Sequence, residues 1–211
     1  MREYLTETIG TFFLVLTVGL TVMGGSPMAP LAIGASLMIM VYMGGHISGG
    51  HYNPAVTLAV FMRGKLPGKQ VVPYWIAQIV GALLAALAAW VIMNRTFAPA
   101  AGPGVSKFEA VAVEFLYTFA LCIVVLQTAT SSKTSGNSYY GLAIGFTIVV
   151  AAFAGGPISG GAFNPAVGIG PTIVSAICGK GTMAHLWIYI VGPLLGGAAA
   201  ATVFKMQGGG D

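Results

Sequence analysis

The decapeptide at residues 47–56, ISGGHYNPAV, recurs 111 residues later at 158–167 as ISGGAFNPAV, with eight of ten residues identical. Two further pairs keep the same order and nearly the same offset. ETIGTF (7–12) matches EFLYTF (114–119), and IVGALLAALAA (79–89) matches IVGPLLGGAAA (190–200). The chain therefore reads as two homologous halves, 1–95 and 108–211, joined by a Pro/Gly-rich linker at 96–107.

What surrounds the repeat fixes its setting. Only 7% of residues are charged, 56% are hydrophobic and the mean hydropathy is +0.87, against about 25% charged in a soluble domain. Apolar spans fall at 4–23, 31–45, 71–92, 108–128, 139–155 and 184–204, most of them near the ~20 residues that cross a bilayer as helix. The first is not a cleaved signal, because Glu3 and Glu7 interrupt its start and no A-x-A site follows. Three spans per half is an odd number, so the second half inserts upside down relative to the first. Inverted repeats place a site near the midplane, where the halves meet. With the N-terminus cytoplasmic, Arg2, Arg63, Lys65, Lys69, Lys133 and Lys205 lie inside and Arg95, Lys107 and Lys180 outside, which satisfies the positive-inside rule. The absence of a cleavable signal and the short loops point to a multi-pass protein of a bacterial inner (plasma) membrane, with both termini cytoplasmic. The tail QGGGD carries no fold information.

The repeated decapeptide is then a polar, glycine-rich segment at membrane depth. Asn53 suits a helix N-cap and Pro54 the first helical position. The helix that follows runs to about Phe61 before RGKLPGK stops it, giving ~13 Å at 1.5 Å per residue, too short to span. Asn164 and Pro165 start an equally short helix ending near SAICGKG. Two such half-helices entering from opposite sides meet Asn end to Asn end. Their lead-ins read as extended backbone, which is tolerated at this depth only when buried in protein or lining a cavity. The carbonyls of His46, Ile47, Ser48, Gly49 and Gly50, and those from Pro157 to Gly161 (Ile158, Ser159 and Gly160 among them), are expected to form two rows of acceptors. Glu7 and Glu114, rare acids at equivalent repeat positions, are expected to support these loops by accepting their N–H groups.

Two NPA motifs, Asn53-Pro54-Ala55 and Asn164-Pro165-Ala166, each preceded by Ser-Gly-Gly within an inverted six-span repeat, resemble the aquaporin (major intrinsic protein) family over essentially the whole chain. The resemblance implies an all-α membrane protein: a right-handed bundle of six transmembrane helices plus two re-entrant half-helices. It also implies homotetramers with one pore per subunit, and passage of water and small neutral solutes. Each helix N-terminus carries roughly half a positive charge, so two aimed at one point turn cations away. Exclusion by half-helix dipoles, assisted by an Arg, is general to pores of this kind.

The same resemblance places the narrow outer selectivity filter at Ile33, Ala152, Gly161 and Val167. Water-only members carry an aromatic, a His, a small residue and an Arg there; here no filter residue is charged, aromatic or a side-chain donor. Val167 stands where the Arg would be, as in some tonoplast-type members. The expected function is a passive channel for water and small neutral solutes such as ammonia, urea and glycerol. The alternative is a dedicated glycerol or small-polyol facilitator. Gly168 in place of that branch's Asp, the short linker and Tyr189 weigh against it. Gly161 also occupies the family's mercury-sensitive position, so block there is not expected.

The remaining residues favour plain roles. His46 reads as pore wall or loop support, His51 as loop packing, and His185 as the interfacial start of the sixth span. Tyr74, Trp75, Trp187 and Tyr189 fit aromatic belts, and Gly81/Ala85 and Gly196/Ala200 fit close helix packing. Cys122 reads as buried packing, and two cysteines define no disulfide framework. Five acids, three His and two Cys in all, with no nucleophile–base pair or ligand cluster, leave no enzyme, cofactor or metal to expect. Basic residues are scattered singly, so no nucleic-acid partner is expected. An ion-coupled secondary transporter would need charged ligands at the midplane and has only two asparagines.

Overall fold

The computed structural model describes residues 1–208; residues 209–211, the end of the QGGGD tail, lie outside the described residues. Eight α-helices follow in order: α1 Arg2–Met23, α2 Ala29–Ser48, α3 Pro54–Met62, α4 Gly68–Met93, α5 Lys107–Val125, α6 Tyr140–Ser159, α7 Pro165–Cys178 and α8 Ile188–Met206. Six are long and apolar enough to cross a membrane, with α5 continued by a π-helical turn, Leu126–Thr130. Among the described residues there is no strand.

Several helix ends differ from the sequence reading. α2 and α6 reach Ser48 and Ser159, where 45 and 155 were expected. Each is closed by a left-handed glycine, Gly49 (φ 89°) and Gly160 (φ 92°), whose N–H bonds back to Gly45 and Gly156. Glycine is the residue that takes this C-terminal conformation without strain. α8 starts at Ile188, because residues 184–187 form turns, so His185 lies before the span and not in it. The half-helices are unequal: α3 has 9 residues and α7 has 14, continuing past Pro171.

Chain direction inverts between the halves. The start of α1 (Glu3) and the end of α5 (Val125, Ala129, Thr130) border one cavity with Lys65, and Gln127 bonds Gln207 beyond α8. α1 and α5 thus run in opposite senses, and the start of α1 and the end of α8 share a face. Helix pairings come in equivalent sets: α1 on α4 and α5 on α8, α1 on α2 and α5 on α6, α3 on α8 and α7 on α4, with α2 against α6 at the centre.

Small residues permit these approaches. Lipid tails offer helices no hydrophobic drive to associate, so close packing must supply it. A Cβ on Gly81 would lie 2.4 Å from the Thr8 carbonyl, and one on Gly196 2.4 Å from that of Phe115. Where α2 crosses α6, a Cβ on Gly34 would lie 2.5 Å from the Gly145 carbonyl, and the reverse holds at 2.5 Å. Large apolar side chains such as Phe13, Ile76, Phe146 and Leu195 face outward, as a lipid-facing surface requires.

Candidate functional site

The two half-helices meet through their caps. Asn53 and Asn164 are extended (φ −156° and −160°). Their Oδ1 atoms accept from Ala55 N (2.8 Å) and Ala166 N (2.9 Å). Pro54 and Pro165 fill the first helical position, where a missing N–H costs nothing. Each Asn Nδ2 then crosses the interface: Asn53 donates to the Phe163 carbonyl (2.9 Å) and Asn164 to that of Tyr52 (2.8 Å). One Nδ2–H of each asparagine is thereby used, and the second remains for whatever occupies the cavity both residues line.

Between helix and half-helix, only Gly49–Tyr52 and Gly160–Phe163 are non-helical apart from the caps. The two segments repeat one another in backbone: φ is 89°, 62° and 48° at Gly49, Gly50 and Tyr52, and 92°, 66° and 49° at Gly160, Gly161 and Phe163. A tyrosine and a phenylalanine at positive φ are strained, and the buried acids hold them there. Glu7 accepts from Ser48 Oγ (2.6 Å), His51 N (3.0 Å), Tyr52 N (2.7 Å) and Gln78 Nε2 (2.8 Å). Glu114 accepts from Ser159 Oγ (2.7 Å), Ala162 N (3.0 Å) and Phe163 N (2.6 Å). The two rings are seated differently. Tyr52 fills space left by Gly10 and Gly44 and donates to the Met40 carbonyl (2.8 Å), whereas Phe163 packs edge-on against Tyr117.

This geometry corrects the expected rows of carbonyls. His46, Ile47 and Ser48, like Ile158 and Ser159, are helical and not extended. The Ser48 carbonyl accepts from Tyr74 Oη (2.8 Å), that of Ser159 from Tyr189 Oη (2.6 Å), and that of Ile158 from Gly102 N (2.9 Å). Among the described residues no donor reaches the carbonyls of Gly49, Gly50, His51, Gly160, Gly161 or Ala162. Of the expected carbonyls, Ser48, Ile158 and Ser159 are therefore taken, whereas those of His46, Ile47, Gly49, Gly50, Pro157 and Gly160 have no donor among the described residues, because Gly50 N, His51 N and Gly161 N are committed to Ser48, Glu7 and Ser159 side chains.

A narrow cavity of about 30 Å³ surrounds the asparagine pair, where one water needs roughly 10–15 Å³. It opens toward a mouth of about 340 Å³ on the linker side and faces one of about 790 Å³ beside the 128–140 loop. Val18, Ile33, Ala152, Gly161 and Val167 line both the narrow cavity and the linker-side mouth, so they border the passage between them. His46 is exposed in the opposite mouth with Lys65. His51 is buried and bonded to Thr57 Oγ1 (3.1 Å). Among the described residues no Asp, Glu, Lys or Arg side chain lines the narrow cavity.

Four supporting residues escaped the sequence reading. Tyr74 and Tyr189, read as belt aromatics, are 3% and 1% exposed and hold the lead-in carbonyls; Trp75 donates to the Pro54 carbonyl (3.0 Å), and Trp187, at 43%, faces outward. Gln78 bonds Glu7 and Thr57 (2.9 Å); the signal was a lone glutamine in an apolar span. Cys122 is buried, Cys178 is partly exposed beyond the cavity, and among the described residues no His/Cys/Asp/Glu cluster could hold a metal.

Comparison with known proteins agrees with this architecture. The sequence profile of "Major intrinsic protein" matches residues 1–204. The chain is 36% identical over 215 residues to a "Probable aquaporin NIP-type" of Nicotiana alata, covering 98% of this chain and 77% of that one. It is 35% identical over 224 residues to "Glycerol uptake facilitator protein-like 6" of Lactiplantibacillus plantarum, covering 100% of both. The X-ray structure of the aquaglyceroporin from Plasmodium falciparum shares the fold with a TM-score of 0.87 at 22% identity, over 97% of this chain and 95% of that one. The chain belongs to the major intrinsic protein family of membrane channels.

Proposed function

We propose that this channel passes water and small neutral solutes (ammonia, urea and glycerol) passively, with the two half-helices turning protons and ions away. The observation that supports the reading is the apolar lining shared by the narrow cavity and the linker-side mouth, Val18 together with the proposed filter residues Ile33, Ala152, Gly161 and Val167. It narrows the path without placing a charge, an aromatic ring or a side-chain donor in it. The field against cations then falls to the half-helix N-termini. Without an acidic or basic side chain in the narrow cavity, a coupling ion finds no ligand there, which disfavours an ion-coupled transporter. The working form is a homotetramer with one pore per subunit, set in a bacterial plasma membrane with both termini cytoplasmic. The distribution of Lys and Arg supports that orientation.

The test is stopped-flow swelling of proteoliposomes in water, urea, glycerol and ammonia gradients, for the native chain and Val167→Arg. The native protein is expected to admit all four. Val167→Arg is expected to keep water while urea and glycerol fall at least about tenfold, a barrier change of about 1.4 kcal/mol. An unchanged solute range in the variant refutes the filter assignment. Glycerol flux far above urea flux in the native protein would favour a dedicated glycerol facilitator, the activity named for the Lactiplantibacillus relative.

A further inference from the structure

Hydrogen-bond accounting along the path gives an asymmetry of chemistry. Every side chain lining the linker-side mouth is apolar, from Val18 and Ile33 to Phe97 and Val167. In the lead-in beneath it, each N–H is already committed within the protein. Gly160 N donates to the Gly156 carbonyl (2.9 Å), Gly161 N to Ser159 Oγ (3.1 Å), and Ala162 and Phe163 N to Glu114. The carbonyls of Gly160, Gly161 and Ala162 have no protein donor among the described residues. Gly160 and Gly161 are half-buried and Ala162 is buried, so the donors for these acceptors come from what occupies the pore.

The first half repeats the arrangement: Gly49, Gly50, His51 and Tyr52 N–H are bound by Gly45, Ser48 and Glu7, while three carbonyls stay open. His51 is bonded through Nδ1 to Thr57 Oγ1 (3.1 Å), which also contacts the Asn53 carbonyl (3.1 Å) and accepts from Gln78 Nε2 (2.9 Å). From the linker-side mouth down to the half-helix junction, the side-chain donors are thus those of Asn53 and Asn164 Nδ2, whereas the opposite mouth carries Lys65, serines and threonines.

We infer that, among neutral solutes of one size, the pore favours those that donate hydrogen bonds (ammonia, urea and primary amides) over those that only accept them. This deepens the channel reading and rests on it. A donor replaces its lost water partners at each open carbonyl between mouth and asparagines; an acceptor-only molecule leaves both itself and the wall unpaired. Unmet buried polar groups are the expensive case, and the Arg that would have offered donors at this passage is Val167.

Urea, acetamide and dimethyl sulfoxide share a four-heavy-atom skeleton and carry N–H donors in decreasing number, down to none. Flux through proteoliposomes, after subtraction of protein-free vesicles, is expected in that order, with urea about tenfold above dimethyl sulfoxide, the equivalent of one unmade hydrogen bond. Ile33→Gln puts an amide N–H2 at the passage at similar volume and is expected to shrink that ratio at least about threefold. Equal native fluxes, or a ratio that Ile33→Gln leaves unmoved, overturn the inference while leaving the channel intact. Absence of any water flux above empty vesicles overturns the channel reading and this inference with it.

Discussion

Replacing Glu114 tests whether the buried acids are there to hold the strained lead-ins. Its carboxylate is fully buried and takes three donors: Ser159 Oγ and Ala162 N on Oε1, Phe163 N on Oε2. Glu114→Gln has one acceptor oxygen. Whichever way the amide faces, one of the two backbone N–H groups meets an N–H2 at a distance that was 2.6 or 3.0 Å. One orphaned buried donor costs about 1–3 kcal/mol. In Glu114→Leu the Ser159 hydroxyl can turn to the Gly155 carbonyl, 3.4 Å away, but both N–H groups are orphaned, at about 2–6 kcal/mol. At roughly 2–4 °C per kcal/mol for a chain of this length, thermal unfolding of the detergent-purified protein should drop by about 2–12 °C for the glutamine variant and about twice that for leucine. Water permeability should fall in the same order, because Phe163 is then free to leave its positive φ. Glu7→Gln should cost about as much, because either His51 N or Tyr52 N then meets the new N–H2; a flip of Gln78, whose Oε1 has no partner in the native protein, relieves only the side-chain contact. A Glu114→Gln protein with native water flux and an unfolding temperature indistinguishable from native would refute the role assigned to the carboxylate.

The glycines, the asparagine caps and the buried tyrosines each give a further expectation. Gly49→Ala and Gly160→Ala share the left-handed strain of about 1–2 kcal/mol. However, the added methyl at 49 meets only the tip of the His51 ring at 2.9 Å, whereas at 160 it meets Ala100 backbone N and O at 2.6 Å. Gly160→Ala should therefore melt several degrees lower, and equal melting would show that the linker yields freely. Asn53→Ala and Asn164→Ala should each cost at least about 1 kcal/mol for the lost cap. Their double-mutant cycle in chemical unfolding should show coupling above about 0.5 kcal/mol, and strict additivity would contradict the crossed Asn–carbonyl bonds. Tyr189→Phe should leave the Ser159 carbonyl without its donor and cost about 1–3 kcal/mol, whereas Trp187→Phe, on the outward face, should be near neutral; similar losses in the two variants would undo the assignment of Tyr189 to the lead-in.

Much of this architecture is legible in the sequence. Asn-Pro after a glycine pair, twice, marks two capped half-helices by chemistry alone, and the paired acids at 7 and 114 announce backbone donors in need of a partner. The repeat also carries the topology, since three spans per half invert the second. Helix ends are harder. Ser-Gly-Gly reads as a breaker, yet the break falls only at the first glycine, so Ser48 and Ser159 stay helical with their carbonyls held by Tyr74 and Tyr189. The inward-facing Tyr74 and Tyr189 were invisible for a physical reason. A membrane span is apolar on both its lipid and protein sides, so the periodicity that marks a buried face in a soluble helix is missing. Gln78 had no repeat partner to flag it, because Tyr189 stands at the equivalent position.

The packing of α3 against α8 has a consequence for biosynthesis. The first half-helix leaves the ribosome early, but the surface that seats it is the last helix to be made; Gly197 of α8 lies directly over the Ala55 backbone. At about 5–20 residues per second, α3 waits roughly ten seconds for its seat, with its amide cap facing an unfinished partner. Assembly therefore has an end point as well as a direction: a nascent chain stalled before residue 188 would hold five inserted segments and no completed conduit.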